Sequence, residues 1–292
     1  MRGALFLFIA TLLAALGWIA SKVVVMDMPG ETFIASRFML ASLVLLPFCY
    51  KSLWRLRAKQ ILLACGVGIF LGLALLVWVH AVSVTQSLSE GAFIMSLAMI
   101  IAPMTAWILF KIKPNKAFWY ALPMSIAGMM LMTLTNGWQV DESQWFFLFA
   151  SALLSVHFVL NKKISNRIKP LDSICLQLFM VGLVGGIYVA FTQQAPFEVS
   201  SNLAIWFVLS TVFATSLRYL LQTIGQYSVN METAALIMVL EPIWTLMLSI
   251  LMLGESVEMQ KLAGGVVIFL SLIMYIKLSK HSLKSTNKQK AD

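Results

Sequence analysis

The sequence predicts an all-α integral membrane protein of ten transmembrane helices, arranged as two inverted five-helix repeats, and three observations carry that reading. Apolar stretches of about 18 to 22 residues recur along the whole length, each long enough to cross a hydrocarbon core of about 30 Å as a helix. Basic residues gather in alternate loops. The spans also come into register when the chain is slid on itself by 140 residues.

A chain of 292 residues that is 60% hydrophobic and 11% charged, with a mean hydropathy of +0.89, carries more apolar surface than one soluble domain can bury. The first span, 3–22, runs from Gly3 behind Arg2; it is long for a signal-peptide core and more spans follow, so it reads as an uncleaved helix. The second, 32–50, lies between Glu31 and Lys51, and the third, 60–81, starts behind Lys59. The fourth, 91–110, ends at Lys111, and the fifth, 117–135, starts behind Lys116. The sixth, 143–161, sits between Glu142 and Lys162, followed by 172–191, 202–222, 233–253 and 259–278. No segment is left over for a soluble domain.

The formal net charge of +9 would suggest a nucleic-acid partner in a soluble protein, but its distribution argues otherwise. With the N-terminus inside, Arg2, Lys51, Arg55, Arg57, Lys59, Lys111, Lys113, Lys116, Lys162, Lys163, Arg167, Lys169, Lys277, Lys280, Lys284, Lys288 and Lys290 all face the cytoplasm, 17 of the 21 basic residues. The opposite loops hold Lys22 and Lys261 beside seven acidic residues, the asymmetry of the positive-inside rule. Both termini are therefore expected in the cytoplasm of a bacterial inner membrane. Residues 280–292 form a polar, lysine-rich tail expected to be disordered. Cys49, Cys65 and Cys175 show no paired spacing and indicate neither a disulfide framework nor a metal site.

At the 140-residue offset Leu13 falls on Leu153, Lys22 on Lys162, Ile34 on Ile174, Leu43 on Leu183, Ala74 on Ala214 and Gln86 on Gln226, with Pro103 and Pro242 one residue off. Aliphatic matches are cheap in this composition, so the polar and proline pairs carry the weight. Five spans per unit, an odd number, make the second copy enter from the opposite side. Repeats of 1–137 and 138–279 so related suit alternating access around a site at their interface.

The second half reads Glu232-Thr-Ala-Ala-Leu-Ile-Met-Val-Leu-Glu-Pro242, then a helix, then Leu253-Gly-Glu255 and Leu262-Ala-Gly-Gly265. The first half offers Ala35-Ser-Arg37, Gly91-Ala-Phe-Ile94, Ala102-Pro103 and Gly128. Over almost its whole length the chain resembles the EamA-type members of the drug/metabolite transporter superfamily. The resemblance implies a ten-helix carrier with a central cavity between pseudosymmetric halves, whose relatives mostly export amino acids, other metabolites or toxic compounds. In the first half Lys111-Ile-Lys-Pro114 replaces the glycine-glutamate piece.

An ionisable group within a span is costly and needs a partner, a wet cavity or a function. Glu241 is the deepest, about 13 Å from the cytoplasmic end of its helix at 1.5 Å per residue. It precedes Pro242, whose missing N–H opens a helix where an ammonium or proton can bind; it equally suits a structural role, satisfying a neighbouring helix's donors. Arg37 and Arg218 either snorkel to water or pair with a substrate carboxylate or a gating glutamate. Arg218, Gln222 and Gln226 step by four beside Tyr219, a polar stripe expected to face the interior. His80, with Trp78, and His157, with Asn161, are either hydrogen-bonded packing residues or cavity groups. Trp18 is the tryptophan expected at the cavity; Trp54, Trp119, Trp138, Trp145 and Trp206 suit an interfacial belt. Glu90 and Glu232 suit helix N-termini, and Pro103 and Pro242 are the expected helix breaks.

The substrate-binding or translocation set is therefore Trp18, Arg37, Trp78, His80, His157, Asn161, Arg218, Tyr219, Gln222 and Glu241. No nucleotide-binding loop, nucleophile and base set or metal spacing is present, so the expectation is a cofactor-free secondary carrier, not an enzyme. It would draw on an ion gradient, with proton coupling, or on the substrate's own gradient. Its partners are a small molecule and the bilayer, with a monomer preferred. The competing reading is a non-transporting membrane sensor or assembly subunit.

Overall fold

The computed structural model describes residues 2–111, 113–114, 116–133, 141–164, 167–192, 195–229, 234, 237–238, 240–256 and 258–289, and every regular element among them is helical. In chain order these are α1 (Arg2–Asp27), α2 (Gly30–Leu53), α3 (Ala58–Val84), α4 (Leu88–Ser96), α5 (Ala98–Phe110) and α6 (Lys116–Thr133). Then come α7 (Glu142–Ile164), α8 (Pro170–Phe191), α9 (Ser201–Thr211), a π-helical turn (Val212–Leu217), α10 (Arg218–Ser228), α11 (Leu240–Leu253) and α12 (Met259–Gln289). Six helices are long and apolar enough to cross a membrane: α1, α2, α3, α7, α8 and the continuous run from Ser201 to Ser228. The other expected spans fall on shorter, interrupted or partly described helices.

Two expectations change. The span 91–110 divides at Leu97, not at Pro103: the helical backbone runs uninterrupted over position 103. At the break the Leu97 N–H bonds the Ile94 carbonyl at 3.0 Å and the Ser96 hydroxyl takes the Phe93 carbonyl at 2.6 Å, a side-chain competitor for the ladder. Pro103 is the sixth residue of α5, and the helix passes it although its missing N–H removes one bond of the ladder. The tail expected to be disordered from Lys280 stays helical to Gln289, there being no glycine or proline between Val266 and Gln289 to stop α12.

Close approach, not apolar burial, holds helices together in lipid, because acyl chains are as apolar as leucine. The main packings are α2 on α8, α6 on α12, α3 on α7 and α8, α1 on α10 and α11, and α5 on α7. Gly182 makes the α2–α8 contact possible: a Cβ there would stand 2.7 Å from the Met39 backbone nitrogen. Aromatic side chains fill the centre, with Trp18, Phe33, Phe38, Trp78, Phe147 and Tyr219 in one buried cluster.

The helix ends explain two sequence features. Lys22 donates to the carbonyls of Val82 (3.0 Å) and Thr85 (2.7 Å) at the end of α3. Lys162 donates to Gln226 (3.3 Å) and Val229 (3.4 Å) at the end of α10. Both lysines fill carbonyls that a helix terminus leaves open, so the matched pair has one physical job. The Leu253-Gly254-Glu255 piece is a C-cap: Gly254 takes φ +66° and the Glu255 N–H reaches the Ser249 carbonyl at 3.3 Å. The Glu255 carboxylate then accepts from the Ser87 and Ser89 hydroxyls at 2.5 and 2.6 Å, tying the end of α11 to the start of α4. At the end of α5 Lys111 holds the same left-handed turn at φ 58° without a glycine.

Replacing Gly182 with leucine is expected to cost about 1–3 kcal/mol by overpacking, seen as a lower melting temperature of the purified protein. Gly186→Leu, where nothing lies within 4 Å, should leave it unchanged; equal losses would refute the close-approach account. Lys111→Gly removes the left-handed strain of a residue with a Cβ and should raise stability by roughly 1 kcal/mol, checked by the same melting measurement.

Candidate functional site

The polar residues of the spans converge because lipid cannot satisfy them. Between α1, α2, α3, α7, α10 and α11 lies a cavity of about 100 Å³. Of the residues expected at a site, Trp18, Arg37, Trp78, His157, Arg218, Tyr219, Gln222 and Glu241 line it, together with Pro242. Two do not. His80 stacks edge-on against Phe146, ring centroids 4.6 Å apart, because that helix turns its other face, with Trp78, inward. Asn161 lies one turn beyond His157 and borders a smaller cavity of about 40 Å³, with Lys162, Gln226 and Tyr227. The two spaces share Met99, Phe158 and Met238 as wall.

Glu241 stands at the start of the described α11 and both its oxygens are engaged. Oε1 accepts from the Trp18 indole N–H at 3.0 Å, and Oε2 pairs with Arg218 Nη2 at 3.4 Å. One carboxylate thus links α1, α10 and α11. The Arg218 guanidinium also lies over the Tyr219 ring, 4.2 Å from its centroid, and its Nε is buried with no partner among the described residues. Trp18 is held edge-on by Trp78, ring centroids 5.0 Å apart, so the indole that addresses Glu241 has a fixed direction. Pro242 sits near the start of the described α11, where its missing N–H removes one bond from the helical ladder.

Arg37 does not snorkel to water. It is 4% exposed, enclosed by α1, α2 and the π turn. Its Nε donates to Thr215 Oγ1 at 2.5 Å, Nη1 to Ser21 Oγ at 2.9 Å and Nη2 to the Ala214 carbonyl at 3.4 Å. Those partners are uncharged. The wide turn delivers them: Thr215 and Ser216 hydrogen-bond carbonyls five residues back, at Ser210 and Thr211, and the turn hands the chain on directly to Arg218. Such π segments often mark functional positions.

His157 is fixed by an amide chain. Gln177 gives both amide hydrogens away, to Asn161 Oδ1 at 3.0 Å and Ser173 Oγ at 2.8 Å. Its carbonyl therefore faces His157 Nε2 at 3.0 Å, and a neutral imidazole carries its proton on that nitrogen, leaving Nδ1 as a buried acceptor with no partner among the described residues. Asn161 passes the chain to Gln226 at 3.2 Å.

Sequence reasoning did not single out Gln177, Ser21 or Thr215. The signal available was a glutamine inside a span, the same cost argument that selected Glu241; serine and threonine in a helix carry no such signal, since they can bond their own backbone. Cys49 and Cys175, unpaired in spacing, both turn to backbone carbonyls, Cys49 to Leu45 on its own helix at 3.4 Å and Cys175 across to Ser42 on α2 at 3.6 Å. Glu90 starts α4, but Ser87 supplies the cap bond and the Glu90 carboxylate turns to Gln144. Glu232 and Trp138 lie outside the described residues.

Among proteins of known sequence, this chain is 22% identical over 254 residues to an uncharacterized transporter of Archaeoglobus fulgidus, covering 87% of this chain and 79% of that one. A protein solved by crystallography shares the fold with a TM-score of 0.70 at 13% identity, over 96% of this chain and 98% of the other. The EamA-like transporter family matches residues 1–134 and again 143–277. The two matches together leave little beyond a short linker and the C-terminal tail, and the chain belongs to the EamA-like transporter family.

Proposed function

We propose that this chain is a secondary carrier that exports a small amphipathic metabolite, an amino acid or a related compound, by alternating access at the central cavity. The ten transmembrane helices form two inverted repeats, 1–137 and 138–279, with a basic tail from 280 to 292. Both termini face the cytoplasm of a bacterial inner membrane, as the basic loops favour, and the protein works as a monomer.

The observation that carries the reading is the three-way link of Trp18, Arg218 and Glu241 across the cavity. A carrier needs polar groups that hold one state closed and exchange those bonds for the substrate's as the halves rock. Glu241 joins a helix of the first matched stretch to two of the second, where such a bond is placed to break. The packing supports the inverted repeat: if α1–α6 are exchanged with α7–α12, the contact of α1 with α10 answers to that of α3 with α7, and α1 with α11 to α5 with α7. The α2–α8 and α6–α12 contacts answer to themselves.

Proton coupling follows from the same group. A proton taken by Glu241 removes the charge that attracts Arg218, so opening of the link and uptake of a proton are one event. The break at Leu97 within Leu88–Phe110 supplies an interrupted helix of the kind that lines such sites.

Counterflow in proteoliposomes, with pooled labelled amino acids, aryl and alkyl carboxylates, nucleosides and amphipathic drugs, tests the proposal. Saturable exchange of one compound class is expected, stimulated by a pH gradient and reduced more than tenfold by Glu241→Gln, with Arg218→Ala similarly impaired. A folded wild-type protein that exchanges nothing across a broad panel would sink the carrier reading.

A further inference from the structure

The cavity's polar atoms are unequally spent, and the imbalance has a sign. Glu241 is the only carboxylate among the described residues that line it, and both its oxygens already accept, from Trp18 and from Arg218. The cationic side is under-used. Arg218 Nε is buried with no partner among the described residues. Arg37 offers five N–H groups, and its three hydrogen bonds go to two hydroxyls and a carbonyl, none of them charged. Aromatic faces add to its coordination, with Phe33 and Phe38 centroids 5.1 and 5.6 Å from its guanidinium carbon. Two guanidiniums against one carboxylate leave the lining with an excess positive charge.

A net positive charge walled off by helices in a low-dielectric bilayer is costly until a counter-ion arrives. A zwitterion leaves the balance at one positive charge. A cation worsens it and must also break the Trp18 or Arg218 bond to find a carboxylate. A monoanion closes it. The rest of the wall, Phe38, Leu75, Trp78, Leu154 and Phe158, offers rings and alkyl surface to an apolar body.

We infer that the cavity selects a net-monoanionic amphipathic ligand, a carboxylate on an aromatic or aliphatic body, over its zwitterionic and cationic counterparts, and that Arg37 sets this charge preference. The inference rests on the cavity being the substrate site, and within the metabolite class proposed above it favours carboxylate relatives over the zwitterionic amino acids themselves. In this arrangement the ligand carboxylate lies between Arg37 and Arg218 Nε, and the Arg218–Glu241 pair need not open for it to bind. His157 Nδ1 and the Gln222 side chain, both with buried unpartnered acceptor atoms, are placed to receive a ligand N–H or O–H.

The test is a matched series on two scaffolds, measured by calorimetry with the full-length protein in detergent. Indole-3-propionate, tryptophan and tryptamine form one series; 3-phenylpropionate, phenylalanine and phenethylamine form the other. The expected result is that the anion of at least one series binds ten times or more tighter than its partners. Arg37→Gln should shrink that margin below threefold, and Arg37→Lys should retain it. Because Arg37 also ties α2 to the π turn, a variant that fails to fold leaves the wild-type series to decide. Preference for the zwitterion or cation overturns the inference, and so does equal binding within both series or binding of none. Anion binding without anion counterflow keeps the charge assignment and sinks the carrier reading, so the two fail separately.

Discussion

The carboxylate of Glu241 is the point on which the centre of this molecule depends. A charge inside a membrane protein must be paired within the protein, and Glu241 is paired twice, to an indole on α1 and a guanidinium on α10. Those bonds position Trp18, and Trp18 in turn packs on Trp78 and Phe147, with centroids 5.0 and 5.8 Å away. The aromatic core and the polar centre are thus one construction. Removing the carboxylate strands Arg218, a group already short of one partner, which makes the pair more consequential broken than its modest geometry indicates.

A second constraint comes from the backbone. Only a helix widened at Val212–Leu217 presents the Ala214 carbonyl and the Thr215 hydroxyl together to Arg37. Gly17 allows α1 to lie against that turn, since a Cβ there would meet the Ala214 Cβ at 3.1 Å. Arg37 and Arg218 are therefore not independent. One is anchored on the π turn and the other follows it directly in sequence, so a change in the register of that turn moves both cations at once.

Lipid made much of this legible in the sequence. Because every ionisable residue in a span is expensive, the few that occur are informative, and Arg37, Arg218 and Glu241 are recognisable by cost alone, while Trp18 is marked by its place after Gly17 in the repeat. What stayed hidden depended on direction around a helix. Trp78 and His80 are two residues apart, and a two-residue step in an α-helix is about 200° of rotation, so one faces the cavity and the other Phe146. Position along the span does not determine which. The break at Leu97 was equally hidden, since a proline is visible in a sequence while a serine hydroxyl turned onto its own backbone is not. The π turn leaves no mark in the sequence Val-Phe-Ala-Thr-Ser-Leu. The proximity of Cys49 and Cys175 required the α2–α8 contact, which local spacing cannot supply.

The two stretches that match the family share backbone devices but not side-chain chemistry. Lys22 and Lys162 cap helix ends in the same way, and Gly254 and Lys111 make the same left-handed turn. The second glycine-glutamate has no acidic counterpart after Lys111, and Glu241 has none at Ala102 beside Pro103. The devices that fix where helices stop thus recur on both sides, while the charged groups of the cavity do not. Backbone symmetry is what two exchangeable conformations require; the ligand, being asymmetric, does not require it of the side chains. The charge of the cavity consequently arises from unlike contributions, Arg37 from the first stretch and the Arg218–Glu241 pair from the second. Under the alternating access proposed above, separating the stretches would separate Trp18 from Glu241 and alter the distance between the two arginines, so that opening the cavity and weakening its hold on an anion would be one movement.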